Sequence, residues 1–238
     1  AGFMNINGNE YYPAAESYRR ESLGRYTAKT FGWMFAGLLV TFGVAMFGYL
    51  SGYILYVFMI PYLPMILLLA ELGVVIYLSA RVEKMSVGMA RAMFFVYAAL
   101  NGIVFSSVFI LYQLTSLVFV FAATALFFGV MAVLGYTTNA DFSRLRPFLL
   151  GGLLFLAAFW ILSIFINLAQ FEMIACTVGI FLFLVITAYD TRKIRDFYQI
   201  YAGKPEMAAK ASIFAALELY LDFINLFLYL VRVLGRRK

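Results

Sequence analysis

The sequence contains no histidine among its 238 residues and only one cysteine, Cys176. The absence of histidine removes the side chain that ordinarily titrates near neutral pH, and with it histidine metal ligands, haem ligation and histidine-based catalytic triads. A single cysteine cannot form a disulfide within the chain, and its apolar neighbours indicate a packing role. Any response to pH must therefore come from carboxyl groups.

Charged residues are also scarce. They make up 13% of the chain, whereas hydrophobic residues make up 65%. Soluble domains are about a quarter charged, so the composition predicts an all-α integral membrane protein. A membrane span needs about 20 mainly apolar residues, and seven segments qualify. They are 31–50, 62–80, 92–112, 117–136, 148–168, 173–190 and 212–231. The predicted organisation is a cytoplasmic N-terminal arm, 1–30, followed by a seven-helix membrane domain, 31–238.

The basic residues predict the orientation. Of the 18 lysines and arginines, 14 lie in the arm and in the connections 81–91, 137–147 and 190–211, and the other connections contain none. Positively charged connections remain in the cytoplasm, which places the N-terminus inside. The net charge of +6 follows from these connections and indicates contact with anionic lipid rather than nucleic acid.

The C-terminal tail is an exception to this pattern. Seven crossings place Arg236, Arg237 and Lys238 outside, against the rule that positive charge stays inside. The alternative is six spans and a last segment that enters the membrane and returns to the same side.

Four acidic residues lie at or within membrane depth, namely Glu71, Asp190, Glu218 and Asp222. An ionisable residue in a span is costly and normally faces the protein interior or a water-filled cavity. A helical rise of about 1.5 Å per residue puts Glu71 and Asp222 near the midplane, and Asp190 and Arg81 near the cytoplasmic ends of their spans. Depth alone pairs Arg81 with Asp190, and Glu71 with Asp222 or Glu218.

Each of these residues also has a structural interpretation. Asp190 suits the end of a helix, Arg81 suits a positive flank, and Glu71 and Asp222 suit hydrogen bonds between helices. Carboxylates that share a low-dielectric space, however, cannot all ionise. Such a cluster holds a proton near neutral pH and exchanges it for a cation when conditions change. Oxygen ligands of this kind suit Ca²⁺.

Two segments resemble the transmembrane BAX inhibitor motif family, in particular its bacterial members. They are Ala188-Tyr189-Asp190-Thr191 and, at 219–227, LYLDFINLF. The resemblance implies a bundle with the last helix central, and a pH-sensitive calcium leak channel of the bacterial plasma membrane.

The resemblance also implies roles for individual residues. Asp190 and Asp222 would form a proton-sharing dyad that gates the pore from its cytoplasmic side and contacts Ca²⁺. Arg81 would contact the dyad, and Glu71 would lie on the ion path. Glu218 occupies a position that is a small polar residue in some relatives. We assign it to the ion path as an additional acid.

The depth estimate conflicts with direct contact in the dyad, because it puts Asp190 roughly 10 Å shallower than Asp222. Contact requires the sixth helix to continue past Arg192 and Lys193, or the seventh to begin well inside the cytoplasm. Pro205 would suit the first turn of such a long helix.

Two other functions remain open. One is a non-transporting membrane regulator that binds a membrane protease or another membrane protein. The other is an intramembrane aspartyl protease, whose two carboxyl groups would activate water. No Gly-x-Gly-Asp sequence surrounds Asp222 and no Pro-Ala-Leu follows it, which disfavours the protease. We therefore expect no enzyme and no cofactor, with the lipid bilayer, protons and transported Ca²⁺ as the partners.

Overall fold

The computed structural model describes residues 21–81 and 83–238, except for the side chains of residues 64, 65, 68, 69, 71 and 72. The described residues form eight α-helices and two short 3₁₀ segments. In chain order the helices are α1 (Leu23–Leu50), α2 (Tyr53–Met59), α3 (Leu63–Arg81), α4 (Val87–Leu111), α5 (Leu114–Thr137), α6 (Arg146–Phe165), α7 (Glu172–Ile200) and α8 (Pro205–Leu234). The predicted all-α membrane protein is confirmed. α2 is a short additional helix that the sequence did not predict.

Six of these helices are long and apolar enough to cross a membrane, namely α1, α4, α5, α6, α7 and α8. This count covers the described part of the chain only. The predicted second span coincides with the 19 residues of α3, which is not among the six. Seven crossings therefore remain a prediction. α1 begins at Leu23, so eight residues of the predicted arm, 23–30, are helical, and the arm's first 20 residues lie outside the described part.

The six apolar helices differ in how much of their surface the protein covers. In α8, 72% of the most apolar stretch is buried, against 11% in α6. α8 packs against α1, α4, α5 and α7. Apolar helices in lipid associate through close packing and hydrogen bonds, because lipid is as apolar as their side chains. The extensive burial of α8 therefore reflects contacts on several sides at once.

Aromatic rings pack around the outer half of α8. Phe227, which is 1% exposed, makes edge-to-face contact with Phe42 at 5.7 Å between ring centroids and also packs on Phe105 and Phe121. Phe223, one turn earlier, packs on Phe121 as well. Such offset and edge-on pairs are the favoured arrangement of aromatic side chains. They form an apolar layer between α8 and its neighbours, α1, α4 and α5.

The ends of α7 and α8 correct two predicted boundaries. The sequence interpretation ended the sixth span at 190 and began the seventh at 212, whereas α7 continues to Ile200 and α8 begins at Pro205. Proline is favourable in the first turn of a helix because its missing N–H has no partner there. Gly203, in the connection, has φ of 79°, a left-handed conformation that glycine adopts without strain. Both helices thus extend well beyond the apolar stretches.

The residues that follow α8 lie against the connection between α4 and α5. The backbone N–H of Gln113 donates to the carbonyl of Arg236 at 2.9 Å, and that of Lys238 donates to the carbonyl of Leu111 at 3.0 Å. α8 is one continuous helix, so the last described segment does not turn back toward its start. The re-entrant alternative is therefore wrong for this segment, and the basic tail lies at the end of the bundle opposite the α7–α8 connection.

Candidate functional site

Asp190 on α7 and Asp222 on α8 face each other. Their carboxyl groups are within hydrogen-bonding reach, and the two residues are only 7% and 3% exposed. The Oδ2 atom of Asp222 is buried and has no hydrogen-bond partner among the described residues. The structure thus brings together the two aspartates that the sequence interpretation paired. The contact forms because both helices are longer than predicted.

Lys193 is the cation next to this pair. Its ammonium group lies 3.2 Å from Oδ1 of Asp190 and donates to Oε1 of Glu218 at 2.7 Å. Lys193 follows Asp190 by three positions on α7, so both side chains lie on one face of the helix. Glu218 precedes Asp222 by four positions on α8, which places those two acids on one face as well. One ammonium group is therefore set against three carboxyl groups.

The other predicted site residues are not part of this cluster. Arg81 ends α3 and is exposed, and among the described residues no ion pair joins it to Asp190 or Asp222. The depth argument paired Arg81 with Asp190, but Lys193 is the cation beside that aspartate here. Glu71 lies in α3, and its side chain is outside the described part. The roles of Arg81 and Glu71 remain predictions.

Sequence reasoning missed Lys193 because the sixth span was ended at Asp190. That boundary made the lysine one of many positive charges in a cytoplasmic connection. The available signal was its spacing from Asp190, which is one helical turn if the helix continues. The four-residue spacing of Glu218 and Asp222 likewise placed two acids on one face of α8, where they can meet a cation on α7.

Contacts with α5 fix this part of α7. Arg192 donates to the carbonyl of Thr138, and Arg195 donates to that of Tyr136 at 3.1 Å. These carbonyls belong to the last turn of α5 and the residue after it, where no intrahelical partner is available. One turn deeper, a Cβ atom at Gly135 would overlap the backbone of Ala188. A residue without a side chain is therefore needed for the close approach of α5 to α7.

A second polar group holds α8 to two other helices. The hydroxyl of Tyr220, a fully buried residue, accepts from Nδ2 of Asn101 on α4 at 2.9 Å and shares a short hydrogen bond with Thr41 on α1. Asn101 thus links α4 to α8 through a buried hydrogen bond. Tyr220 lies two residues from Asp222, so the network holds in place the part of α8 that carries Asp222.

A cavity of about 320 Å³ lies beside Lys193 at the end of the bundle that the basic residues predict to be cytoplasmic. Asp141, Asp196, Arg192 and Tyr189 also line it. Hydrogen bonds from the hydroxyl and backbone N–H of Ser143 lower the pKa of Asp141. Asp141 is therefore ionised throughout the physiological pH range. The cavity meets the buried cluster at Lys193, and its wall carries the acids Asp141 and Asp196 beside the cations Arg192 and Lys193.

The described residues contain no group of three or more carboxylate or cysteine side chains arranged to hold a metal ion. Lys193 lies between two of the three acids of the cluster, where its ammonium group takes the place that a cation would need. Asp190 and Asp222 remain predicted contacts for a passing Ca²⁺. They do not form a complete coordination shell by themselves, since Ca²⁺ takes six to eight oxygen ligands.

Comparison with known proteins finds one matching family and several bacterial relatives. A family model described as inhibitor of apoptosis-promoting Bax1 matches residues 23–238. The inner membrane protein YbhL of Escherichia coli (strain K12) is 39% identical over 226 residues, which cover 92% of this chain and 94% of the relative. An uncharacterized protein of Rickettsia prowazekii, RP147, is 36% identical and covers 92% of each chain.

A more distant relative is an uncharacterized membrane protein of Streptococcus pyogenes, which is 30% identical over 68% of this chain. The names of these three relatives describe inner-membrane, membrane or uncharacterized proteins, and none is an enzyme name. Together with the six apolar helices, they confirm the predicted multi-pass protein of the bacterial plasma membrane.

Proposed function

The chain belongs to the family of inhibitors of apoptosis-promoting Bax1, the family that its sequence resembles, and on this premise we propose that it is a pH-sensitive calcium leak channel. The aspartate dyad of α7 and α8 gates the channel. The observation that carries the proposal is the contact between the carboxyl groups of Asp190 and Asp222, which are buried and come from two different helices. α8 is the central helix of the proposed channel and the element that moves.

Charge balance supports proton sharing at this contact. Asp190, Glu218 and Asp222 carry three carboxyl groups, and Lys193 carries the only ammonium group in contact with them in the described structure. Full ionisation would leave an excess of two negative charges in a space largely removed from water, which is strongly unfavourable. A proton held between Asp190 and Asp222 relieves this excess and supplies a hydrogen bond between α7 and α8.

Release of that proton leaves two carboxylates in contact. Their repulsion favours separation of α7 from α8, and it also creates a site with the charge and the oxygen ligands that attract Ca²⁺. Lys193 competes with the cation for Asp190 and Glu218, so it holds the closed arrangement. In the proposed path, Ca²⁺ passes Glu218 and the dyad between the cytoplasmic cavity and the aromatic layer at Phe227. In this proposal Glu71, on α3, also lies on the ion path, and Arg81, at the end of α3, contacts the dyad.

Calcium flux into proteoliposomes across pH 5–8 tests the proposal. Wild-type protein is expected to show a leak that changes with pH, and Asp190→Asn or Asp222→Asn is expected to remove that dependence. Glu206→Gln is the matched control, because Glu206 is an exposed carboxylate on α8 away from the dyad. If both asparagine variants keep the wild-type pH profile, the dyad does not gate the channel.

A protein without any flux at any pH would instead support the alternative of a non-transporting regulator. The wild-type protein would then be expected to bind a membrane protein partner.

The aspartate contact also matches the geometry of an aspartyl protease, whose two carboxyl groups lie side by side. Lys193 disfavours this reading, because its ammonium group lies 3.2 Å from Asp190, where a catalytic water would be needed. Cleavage of a transmembrane substrate, abolished by Asp222→Ala, would revive it.

A further inference from the structure

A second and larger cavity lies at the cytoplasmic end of the bundle, apart from the dyad. It has a volume of about 1120 Å³ and lies between α1, the start of α4, the end of α7 and the start of α8. None of the proposed gating residues lines it. This volume exceeds that of ordinary small-molecule pockets, which are about 300–1,000 Å³.

The cavity has an excess of positive charge. Its charged lining residues are Arg25, Lys29, Arg91 and Glu21. Lys29 forms an ion pair with Glu21 at 2.8 Å. Arg25 and Arg91 have no carboxylate within ion-pair distance in the described structure. Two guanidinium groups are therefore left for an external anion, and guanidinium binds phosphate through two parallel hydrogen bonds.

The cavity is also amphipathic along α1. Arg25 lies in the first turn of α1, and Ala36, eleven residues later, also lines the cavity, so this wall extends about 16 Å into the bundle. Gly32, Trp33 and Ala36 make its deeper part apolar. The guanidinium group of Arg91 lies over the ring of Trp33, 4.9 Å from the centroid, which places this cation where the charged and apolar parts meet.

Hydrogen bonds hold the walls of the cavity together. The hydroxyl of Tyr26 donates to the carbonyl of Ala208 on α8 at 2.8 Å, and the hydroxyl of Tyr198 on α7 donates to the carbonyl of Glu21 at 2.7 Å. The rings of Tyr26 and Tyr198 are themselves in contact. The cavity is thus a formed feature of four helices rather than a gap beside one of them.

We propose that this cavity binds an anionic phospholipid, with the phosphate on Arg25 and Arg91 and the start of the acyl chains against Trp33 and Ala36. Basic pockets between helices on the cytoplasmic side are suited to such headgroups, since the cytoplasmic leaflet is anionic. A headgroup joined to acyl chains matches a charged entrance that continues into an apolar wall.

The N-terminal arm is the alternative occupant. Residues 1–20 carry two acids, Glu10 and Glu16, and two arginines, Arg19 and Arg20. They offer no net negative charge to balance the cavity, whereas an anionic lipid does. The charge complement therefore favours lipid as the occupant.

Native mass spectrometry of the delipidated protein in detergent tests the proposal, with phosphatidylglycerol and phosphatidylcholine as probes. Phosphatidylglycerol is expected to bind more tightly, and Arg25→Gln combined with Arg91→Gln is expected to weaken it about tenfold. Arg144→Gln combined with Arg146→Gln removes the same charge from the same predicted side outside the cavity, and is expected to leave binding unchanged. An equal loss in both double variants would overturn the proposal, because surface charge alone would then explain binding.

Three further measurements complete the test. Arg91→Lys keeps the charge but loses the two parallel hydrogen bonds of the guanidinium, so it is expected to bind the lipid more weakly than the wild type and more tightly than Arg91→Gln. This order separates a binding role from a loss of folding. Glycerol 3-phosphate is expected to compete poorly, and competition as strong as that of the lipid would show a site for free phosphate instead. Deletion of residues 1–20 is expected to leave lipid affinity unchanged. An increase of about tenfold would identify the arm as the occupant and overturn the assignment.

Discussion

Two ion pairs connect α7 to α8, one near each end of their contact, and they differ in their surroundings. Lys193 and Glu218 are 2.7 Å apart, with side chains 24% and 22% exposed, and Arg232 and Glu172 are 2.8 Å apart, with side chains 41% and 34% exposed. The Lys193–Glu218 pair, at the predicted cytoplasmic end, lies beside a further buried acid, Asp190, whereas the Arg232–Glu172 pair, at the predicted outer end, lies beside the ring of Trp160. The two ion pairs are therefore similar in length, but they differ in burial and in the number of acids near the cation.

The difference shows which end of the contact between α7 and α8 is able to bind a proton or a cation. At the cytoplasmic end, Oε2 of Glu218 and Oδ2 of Asp222 are buried without hydrogen-bond partners among the described residues. An acceptor in that state gains a partner if a proton or a cation arrives. At the outer end, Tyr229 accepts a hydrogen bond from Trp160 and packs against Phe183. Among the described residues, no buried side-chain oxygen or nitrogen at that end lacks a partner.

The largest expected effect is at the cytoplasmic pair. Lys193→Met leaves Asp190 and Glu218 without their cation, and removal of one partner from a largely buried ion pair costs about 3 kcal/mol of unfolding free energy. Acidification protonates the uncompensated acids, so the loss is expected to be greatest above neutral pH and to shrink as pH falls. Chemical unfolding in detergent at pH 8 and pH 5 measures both quantities.

The matched control for this change is Lys84→Met, which removes an exposed lysine from the α3–α4 connection. It is expected to change stability by less than about 0.5 kcal/mol at either pH. A Lys193→Met variant as stable as this control at pH 8 would show that the ammonium group does not compensate the acids. In proteoliposomes, loss of the competing ammonium group is also expected to increase calcium leak.

A smaller effect is expected from the close approach that positions α7. Gly135→Ala places a methyl group against the backbone of Ala188, and overpacking of this kind costs about 1–3 kcal/mol. Gly129→Ala on the same helix is the control, because a Cβ atom there meets nothing within 4 Å. It is expected to be neutral or to stabilise by up to about 1 kcal/mol. Equal stability of the two variants would contradict a packing requirement at Gly135.

The comparison of the two ends also shows how much was predictable from the sequence. Hydropathy identified the apolar segments to within a few residues at most ends, because a lipid-facing surface requires continuous apolar side chains. It failed at the polar start of α1 and at the polar ends of α7 and α8. In α7, hydrogen bonds to α5 and the ion pair with Glu218 hold the charged residues that follow the apolar stretch. The pairing of Asp190 with Asp222 came from the family resemblance, since depth alone argued against it.

Contacts between distant segments were not predictable in the same way. The closeness of Lys193 to Glu218 depends on the register of two helices. The approach of Gly135 to Ala188 depends on the distance between α5 and α7. The hydrophobic pattern along the chain specifies neither the register of two helices nor the distance between them. The C-terminal tail is a third case, because charge alone places Arg236 and Lys238 inside. The structure fixes them at the opposite end through backbone hydrogen bonds to Gln113 and Leu111.

The smallest expected effect is at the outer ion pair, and it makes the comparison quantitative. A double-mutant cycle of Arg232→Gln and Glu172→Gln is expected to give a coupling energy of about 0–1 kcal/mol, because exposed pairs are well solvated. The same cycle at Lys193 and Glu218 is expected to give a value of about 2 kcal/mol, within the range for contacting residues. Salt at about 1 M shortens the screening length to roughly 3 Å, so it is expected to abolish the outer coupling and to leave most of the inner one. Equal coupling energies with equal salt dependence would mean that burial does not distinguish the two ends, and the proposed gating would lose its electrostatic basis.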